Sequence, residues 1–328
     1  MAIAVLLWRL MGFPLSWRKG SRGTQISWIG GHVALKAGHA GVSVRIAQET
    51  FEDARQMVET ILGANVVAKR ALNSAMGKLA HIANLILVWR PFMASLYTAL
   101  HADSPPGCPP GCVWVKQISK SLRWFRTFFF LSGGFVERDF DVRCFLRVGV
   151  DLEIIIDASP WGLGGILMVS GTCKEHFSSA LTVLDEALFS QVRGSADGQH
   201  IWECLAALEA LPLWRHVWGQ RSLILRIRGG SMTMLSLIVN LRPGAEQLGL
   251  IGMEIAMECA QAVFVPVLAK HIPGVADVAA DVLSRCPQPG YQHVEHIMLK
   301  NSFGQEVPAR DKSYYITLTE PDVPEKRG

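Results

Sequence analysis

At residue 151 the hydrophobic pattern of this chain changes period, and that change limits the folds open to it. Between about 44 and 102 apolar residues return every three or four positions: Ile46, Phe51, Met57 and Ile61, then Leu72, Met76, Leu79 and Ala83. Such spacing predicts amphipathic helices, the first stopping near Gly63. Pro91 suits the first turn of a third helix, and 114–131 reads as another. Downstream, short apolar runs alternate with helical stretches. Leu152 to Ile156 reads as a strand, and Gly162-Leu-Gly-Gly165 leads into a second run, Ile166 to Val169. Leu223 to Ile227 and Ala262 to Leu268 read as further strands. Helices are expected at 201–218, interrupted by Pro212, and at about 232–241, 245–260 and 276–285. Strands alternating with helices make this part α/β. Residues 1–43, Gly-rich with Trp17 and Trp28, read as a strand or hairpin remnant. Ser104 to Cys112 is a Pro/Gly loop, and the polar, proline-containing stretch after Arg285 reads as an irregular or disordered extension.

Composition narrows the class. Of 328 residues, 50% are hydrophobic and 18% charged, enough apolar surface for a sizeable core. Runs such as Ile86 to Trp89 end at polar residues far short of the roughly 18 needed to span a bilayer, so no membrane segment is expected. Residues 2–8 are apolar, but no basic segment precedes them and Arg9 follows, which argues against a signal peptide. Seven scattered cysteines point to a reducing compartment, hence an intracellular protein of cytoplasm or nucleus. Charge is uneven: 1–150 hold 18 Lys and Arg against 8 Asp and Glu, 151–287 hold 9 against 14, and 288–328 hold 5 against 6. A basic half can track phosphates and an acidic half can hold cations.

Three carboxylates stand at or near the ends of expected elements. Asp157 closes an apolar strand, where an unpartnered buried carboxylate is costly. Glu203 falls in the first turn of the helix expected from 201, and Asp281 on the last helix, after a loop carrying His271. Clustered carboxylates bind Mg²⁺ through oxygen and can set two metals about 4 Å apart for phosphodiester hydrolysis. Singly, Asp157 also fits a turn cap, Glu203 a helix N-terminus and Asp281 an exposed position. Lys116, Lys120, Arg123 and Arg126 recur at helical spacing, as a solvated basic face or one that follows phosphates. Cys108 and Cys112 have metal-like spacing, yet no Cys/His pair follows at zinc-finger distance. His293 and His296 read as a surface pair, and the glycines at 162, 164 and 165 do not make a dinucleotide fingerprint.

The wording around these residues carries a resemblance. Ile156-Asp157-Ala-Ser-Pro-Trp-Gly-Leu-Gly-Gly165 resembles the first-strand motif of ribonuclease H domains in retroelement reverse transcriptases. Trp202-Glu203-Cys-Leu-Ala-Ala-Leu208 resembles the helix that bears that family's second carboxylate. His271-Ile-Pro-Gly274 with Ala279-Ala-Asp281-Val-Leu-Ser-Arg285 resembles its closing motif, with a histidine ten residues before the last aspartate. Upstream, Met11-Gly-Phe-Pro-Leu-Ser-Trp-Arg-Lys19 and Ser27-Trp-Ile-Gly30 resemble the end of a polymerase palm. Met76-Gly-Lys-Leu-Ala-His81 through Arg90-Pro-Phe-Met93 resembles thumb and connection helices. The match covers about residues 10–287, as in an LTR- or DIRS-like Pol polyprotein truncated upstream.

The resemblance implies a ribonuclease H-like mixed sheet flanked by helices over 150–287. Before it would come a palm remnant at 1–43 and a helical thumb- or connection-like region at 44–149; an irregular tail at 288–328 would follow. It implies Asp157, Glu203 and Asp281 as ligands of two Mg²⁺ ions, His271 as a proton-transfer group, and an RNA–DNA hybrid as substrate. Lys116, Lys120, Arg123 and Arg126 would hold the nucleic-acid backbone. Two departures bear on activity. No Asp-Asp pair occurs in the chain, so no DNA synthesis by this chain alone is expected. Gly230 stands where the family's third carboxylate is expected, just after the fourth strand, and no Asp or Glu lies between Glu209 and Glu246. Loss of even an outer partner typically costs about 10–100-fold in metal affinity or activity. The expectation is therefore an impaired endonuclease or, alternatively, an inactive nucleic-acid-binding or relic protein.

Overall fold

A computed structural model describes residues 23–28, 30–36, 41–141, 151–218, 224–245, 247–261, 265–271, 278–292 and 296–319. The motif from Met11 to Lys19 with Trp17, residues 272–277 and His293 lie outside these residues.

Strands β1 (Gln25–Trp28), β2 (Gly31–Lys36) and β3 (Gly41–Ile46) form an antiparallel meander. The helical reading from 44 is corrected here. Val42, Val44 and Ile46 alternate with polar residues, and β3 pairs on its other edge with β6 (Glu137–Asp141), a strand the sequence reading did not contain. Helix α1 (Gln48–Leu62) begins two residues later. It buries Phe51, Ala54, Val58 and Ile61 and stops at Gly63, whose N–H returns to the Glu59 carbonyl.

A short pair, β4 (Val66–Ala68) with β5 (Cys112–Trp114), brackets the next two helices. Helix α2 (Lys69–Leu85) buries Leu72, Met76, Leu79 and Ala83 as their spacing predicts, and α3 (Arg90–His101) carries Pro91 in its first turn. Helix α4 (Val115–Leu131) follows the Pro/Gly loop. An aromatic cluster fastens this bundle: Trp89 stacks on Phe128 at 5.5 Å and meets Phe129 edge-on at 5.2 Å, while Phe92 meets Phe128 edge-on at 5.0 Å.

The second sheet is mixed. Strands β7 (Asp151–Ala158), β8 (Gly162–Val169) and β9 (Thr172–Ala180) pair antiparallel. After α5 (Val183–Phe189), α6 (Gln199–Leu213) and α7 (Arg215–Trp218) comes β10 (Ile224–Gly229), parallel to β7. Helices α8 (Met232–Asn240) and α9 (Leu248–Gln261) lead to β11 (Val265–His271), parallel to β10. Then come α10 (Val278–Arg285) and a two-residue strand β12 (Phe303–Gly304). The strand order is β11-β10-β7-β8-β9-β12.

Alternation along β7 divides the core. Ile154 and Ile156 pack into the large core shared with Trp202 and Leu205 of α6, whereas Ile155 packs with Ala279, Ala280 and Leu283 of α10. The two helices thus cover opposite faces of β7 and β8. Helix α9 lies against α6 on one side and α3 on the other, so the helical bundle and the sheet share one core.

Several expectations change. The glycines at 162, 164 and 165 lie inside β8 instead of leading into it. A Cβ on Gly164 would stand 2.6 Å from both the Ala280 carbonyl oxygen and the Ser284 nitrogen, so glycine lets α10 press on the strand. The helix expected at 201–218 breaks at Trp214, two residues after Pro212, which supplies no N–H to the helix. Strand β9 and helix α5, absent from the sequence reading, fill 172–189. The segment after Arg285 is irregular, as expected, but its described part is not a loose extension. Arg310, Tyr315 and Thr317 are buried, and β12 pairs with β9.

Candidate metal and nucleic-acid site

Asp157 is the penultimate residue of β7 and points, like Ile155, to the face covered by α10. There the Ser284 hydroxyl donates to Asp157 Oδ2 at 2.8 Å and lies 3.0 Å from the Asp281 carbonyl oxygen, so its one hydrogen serves both. Burial pushes the Asp157 carboxyl up to about 6; the Ser284 bond opposes this, the charge of Asp281 adds to it, and the Ala158 N–H and Arg285 oppose it. Asp281 pairs with Arg285 one turn along α10, Nε to Oδ1 at 2.7 Å. Ser284 thus ties Asp157 to the backbone of α10, and the Asp281 charge lies near enough to act on the Asp157 carboxyl.

Glu203 lies on α6, which covers the opposite face of the sheet. It lies in the second turn of α6, not the first, because the helix starts at Gln199, two residues earlier than expected. Gln199 donates through Nε2 to the Ala158 carbonyl, pinning that helix end to the residue after Asp157. Four residues on, Glu203 shares the face of Gln199 and is buried, only 7% exposed.

His271 is corrected from a loop to the last residue of β11, paired with Gly229 of β10. The polar Lys270 and His271 hid the strand's continuation beyond Leu268. A Cβ on Gly229 would lie 3.0 Å from the Ile156 carbonyl oxygen, so Gly230 follows beside the Asp157 end of β7. Ser231 then caps α8, its hydroxyl accepting from the Met234 N–H at 3.2 Å. The carboxyl ends of β7, β10 and β11 thus gather Asp157, Gly230 and His271 at one sheet edge, where open α/β sheets bind ligands.

Two Mg²⁺ ions need several oxygen ligands converging on shared points. Asp157 and Asp281 adjoin, but Asp281 is engaged by Arg285, and Gly230 offers no side-chain oxygen. Among the described residues no group of three His, Cys, Asp or Glu side chains is placed to hold a metal ion. The donor set does not fit a two-ion centre, and no step through one is derived.

The basic residues of α4 do not form one solvated stripe. Lys116 is exposed, but Lys120, Arg123 and Arg126 are half-buried. Burial pushes the Lys120 ammonium below its usual value, opposed by Glu254 of α9. Ser284 and Gln199 were missed in the sequence. The signal for each was positional: three residues after Asp281, and four before Glu203.

No family profile matches the chain, and no curated protein matches it in sequence. Among solved structures, it is similar to LC11-RNase H1, isolated from compost by a metagenomic approach. That likeness has 17% identity over 40% of this chain and 91% of the other, with a TM-score of 0.30. It is also similar to a foamy viral protease-reverse transcriptase in complex with double-stranded DNA, at 12% identity over 75% of this chain and 38% of the other, TM-score 0.25. At these scores neither likeness assigns the chain to a family. Among the described residues no helix is long and apolar enough to cross a membrane.

Proposed function

We propose that residues 150–287 form a ribonuclease H-like module that binds RNA–DNA hybrids and whose cleavage chemistry is impaired at Gly230. The observation that carries this reading is Asp157 at the carboxyl end of β7, bonded to Ser284 of α10 and close enough to Asp281 for that charge to raise its carboxyl. The reading is supported by the elements that carry the residues: Asp157 lies on β7, Glu203 on α6 and Asp281 on α10. Gly230 directly follows the fourth strand, where a further carboxylate is called for.

With the present donors the weight falls on binding. A hybrid would be recognised by minor-groove shape and 2′-hydroxyls, with the basic first half of the chain neutralising phosphates. The thumb- and palm-like reading of the preceding residues belongs to the same proposal.

The test is fluorescence anisotropy of a labelled RNA–DNA hybrid against duplex DNA of equal length, across a salt series. Tighter binding of the hybrid, weakening as salt rises, is the expected result. Equal affinity for both duplexes, or no binding of either, would overturn the reading.

A further inference from the structure

Between the helical bundle and the loop that joins α8 to α9 lies a cavity of about 470 Å³, a volume typical of small-molecule sites. Its chemistry differs from that of the carboxylate edge. Two guanidiniums line it, Arg90 from the start of α3 and Arg242 from the loop, and among the described residues no carboxylate does. Among the described residues neither arginine forms an ion pair.

Arg90 is held in place. Its Nε donates to the Ala83 carbonyl at 3.2 Å, Nη1 to the Asn240 carbonyl at 3.1 Å, and Nη2 to Asn84 Oδ1 at 3.2 Å. A guanidinium has five N–H groups, so two remain beyond these three bonds. The arrangement also ties the α8–α9 loop to the bundle, which fixes where Arg242 enters. The rest of the wall is apolar or aromatic: Met93, Pro243 and the half-exposed ring of Tyr97.

We propose that this cavity binds a phosphate monoester carried on a nucleoside, with Arg90 and Arg242 taking the phosphate and the Tyr97–Met93–Pro243 wall taking the base. Two adjacent cations with no carboxylate among the described lining residues suit a dianion, and planar guanidiniums bind phosphate oxygens in pairs. Burial and the neighbouring Arg242 and Arg138 charges push the Arg90 guanidinium below its usual value, which an anion would relieve. Bases of any sequence stack on an aromatic ring. This site does not depend on the carboxylate edge being a nuclease. The monoester has two sources, a free mononucleotide or the phosphorylated end of a strand.

Calorimetric titration of the full chain with AMP, adenosine and a 5′-phosphorylated tetranucleotide tests the proposal and separates the sources. AMP or the tetranucleotide should bind saturably, the tighter of the two naming the source, and adenosine at least tenfold more weakly. Arg242→Gln, at an exposed loop position, should weaken the phosphorylated ligand at least tenfold. Ala94→Trp, which fills the cavity, should do the same while both variants keep the parent's circular dichroism. Absence of saturable binding by both phosphorylated probes, or binding unchanged in both variants, would overturn it.

Discussion

Arg310 donates from Nη2 to Asp185 Oδ2 at 3.0 Å, across 125 residues of chain, in a pair that is 1% and 0% exposed. The same guanidinium bonds Glu209 of α6, and Tyr315 donates its hydroxyl to Asp185 at 3.3 Å. One cation thus joins α5, α6 and the segment after α10. Removing one partner of a buried ion pair leaves charge uncompensated and typically costs about 3–5 kcal/mol. Arg310→Met is expected to lose that much in urea unfolding, and a loss under about 1 kcal/mol would show that the segment does not hold the fold together.

Two buried carboxylates share that single guanidinium, so one of them resists ionising. Asp185 is the better supported, accepting also from the Thr182 N–H, whereas Glu209 Oε2 has no hydrogen-bond partner among the described residues. Burial pushes the Glu209 carboxyl up to about 7, against the attraction of Arg310. In the folded chain Glu209 therefore keeps a proton that the unfolded chain releases near its ordinary value of 4.5. The stabilisation is full below about 4.5 and is lost as pH rises through about 7, by at most about 1.4 kcal/mol per pH unit. Urea midpoints between pH 5 and 8 should fall with rising pH in the parent and fall less in Glu209→Gln, most clearly above about pH 6 where Asp157 no longer contributes.

Gly164 is the contact point of β8 with α10. With a methyl group there, α10 must move away from the strand, carrying Ser284 and Asp281 with it. Overpacking of this kind costs about 1–3 kcal/mol. Gly164→Ala should lower the melting temperature, whereas Gly244→Ala, where an added Cβ meets nothing within 4 Å, should leave it nearly unchanged.

Much of the fold was legible because the patterns were long. The stripe Leu72, Met76, Leu79 and Ala83 fixed α2, and the run Leu152 to Ile156 ending at Asp157 fixed the central strand. Failures came where tertiary pairing overrode local pattern. The alternation of β3 is short and overlaps the helical spacing of Ile46 with Phe51, and β6 is a mixed run, Glu137 to Asp141, stabilised by pairing with a strand some 90 residues earlier. The tail looked unstructured because its anchors, Arg310 and Thr317, are polar and find partners only in distant elements. At the candidate site the aspartates could be named from sequence. That Asp157 faces α10 and bonds Ser284, while the helix bearing Glu203 covers the other face, depends on the pleat of β7 and was not legible there.

We propose that Gly230 is where the ribonuclease H-like edge lost its chemistry. The most direct test is cleavage of a labelled RNA–DNA hybrid with Mg²⁺ and with Mn²⁺, comparing the natural chain with Gly230→Asp and with the double change Gly230→Asp, Asp157→Asn. Cleavage at least about tenfold faster in Gly230→Asp, abolished again by Asp157→Asn, is the predicted result. Equal rates in the natural chain and Gly230→Asp would overturn that proposal.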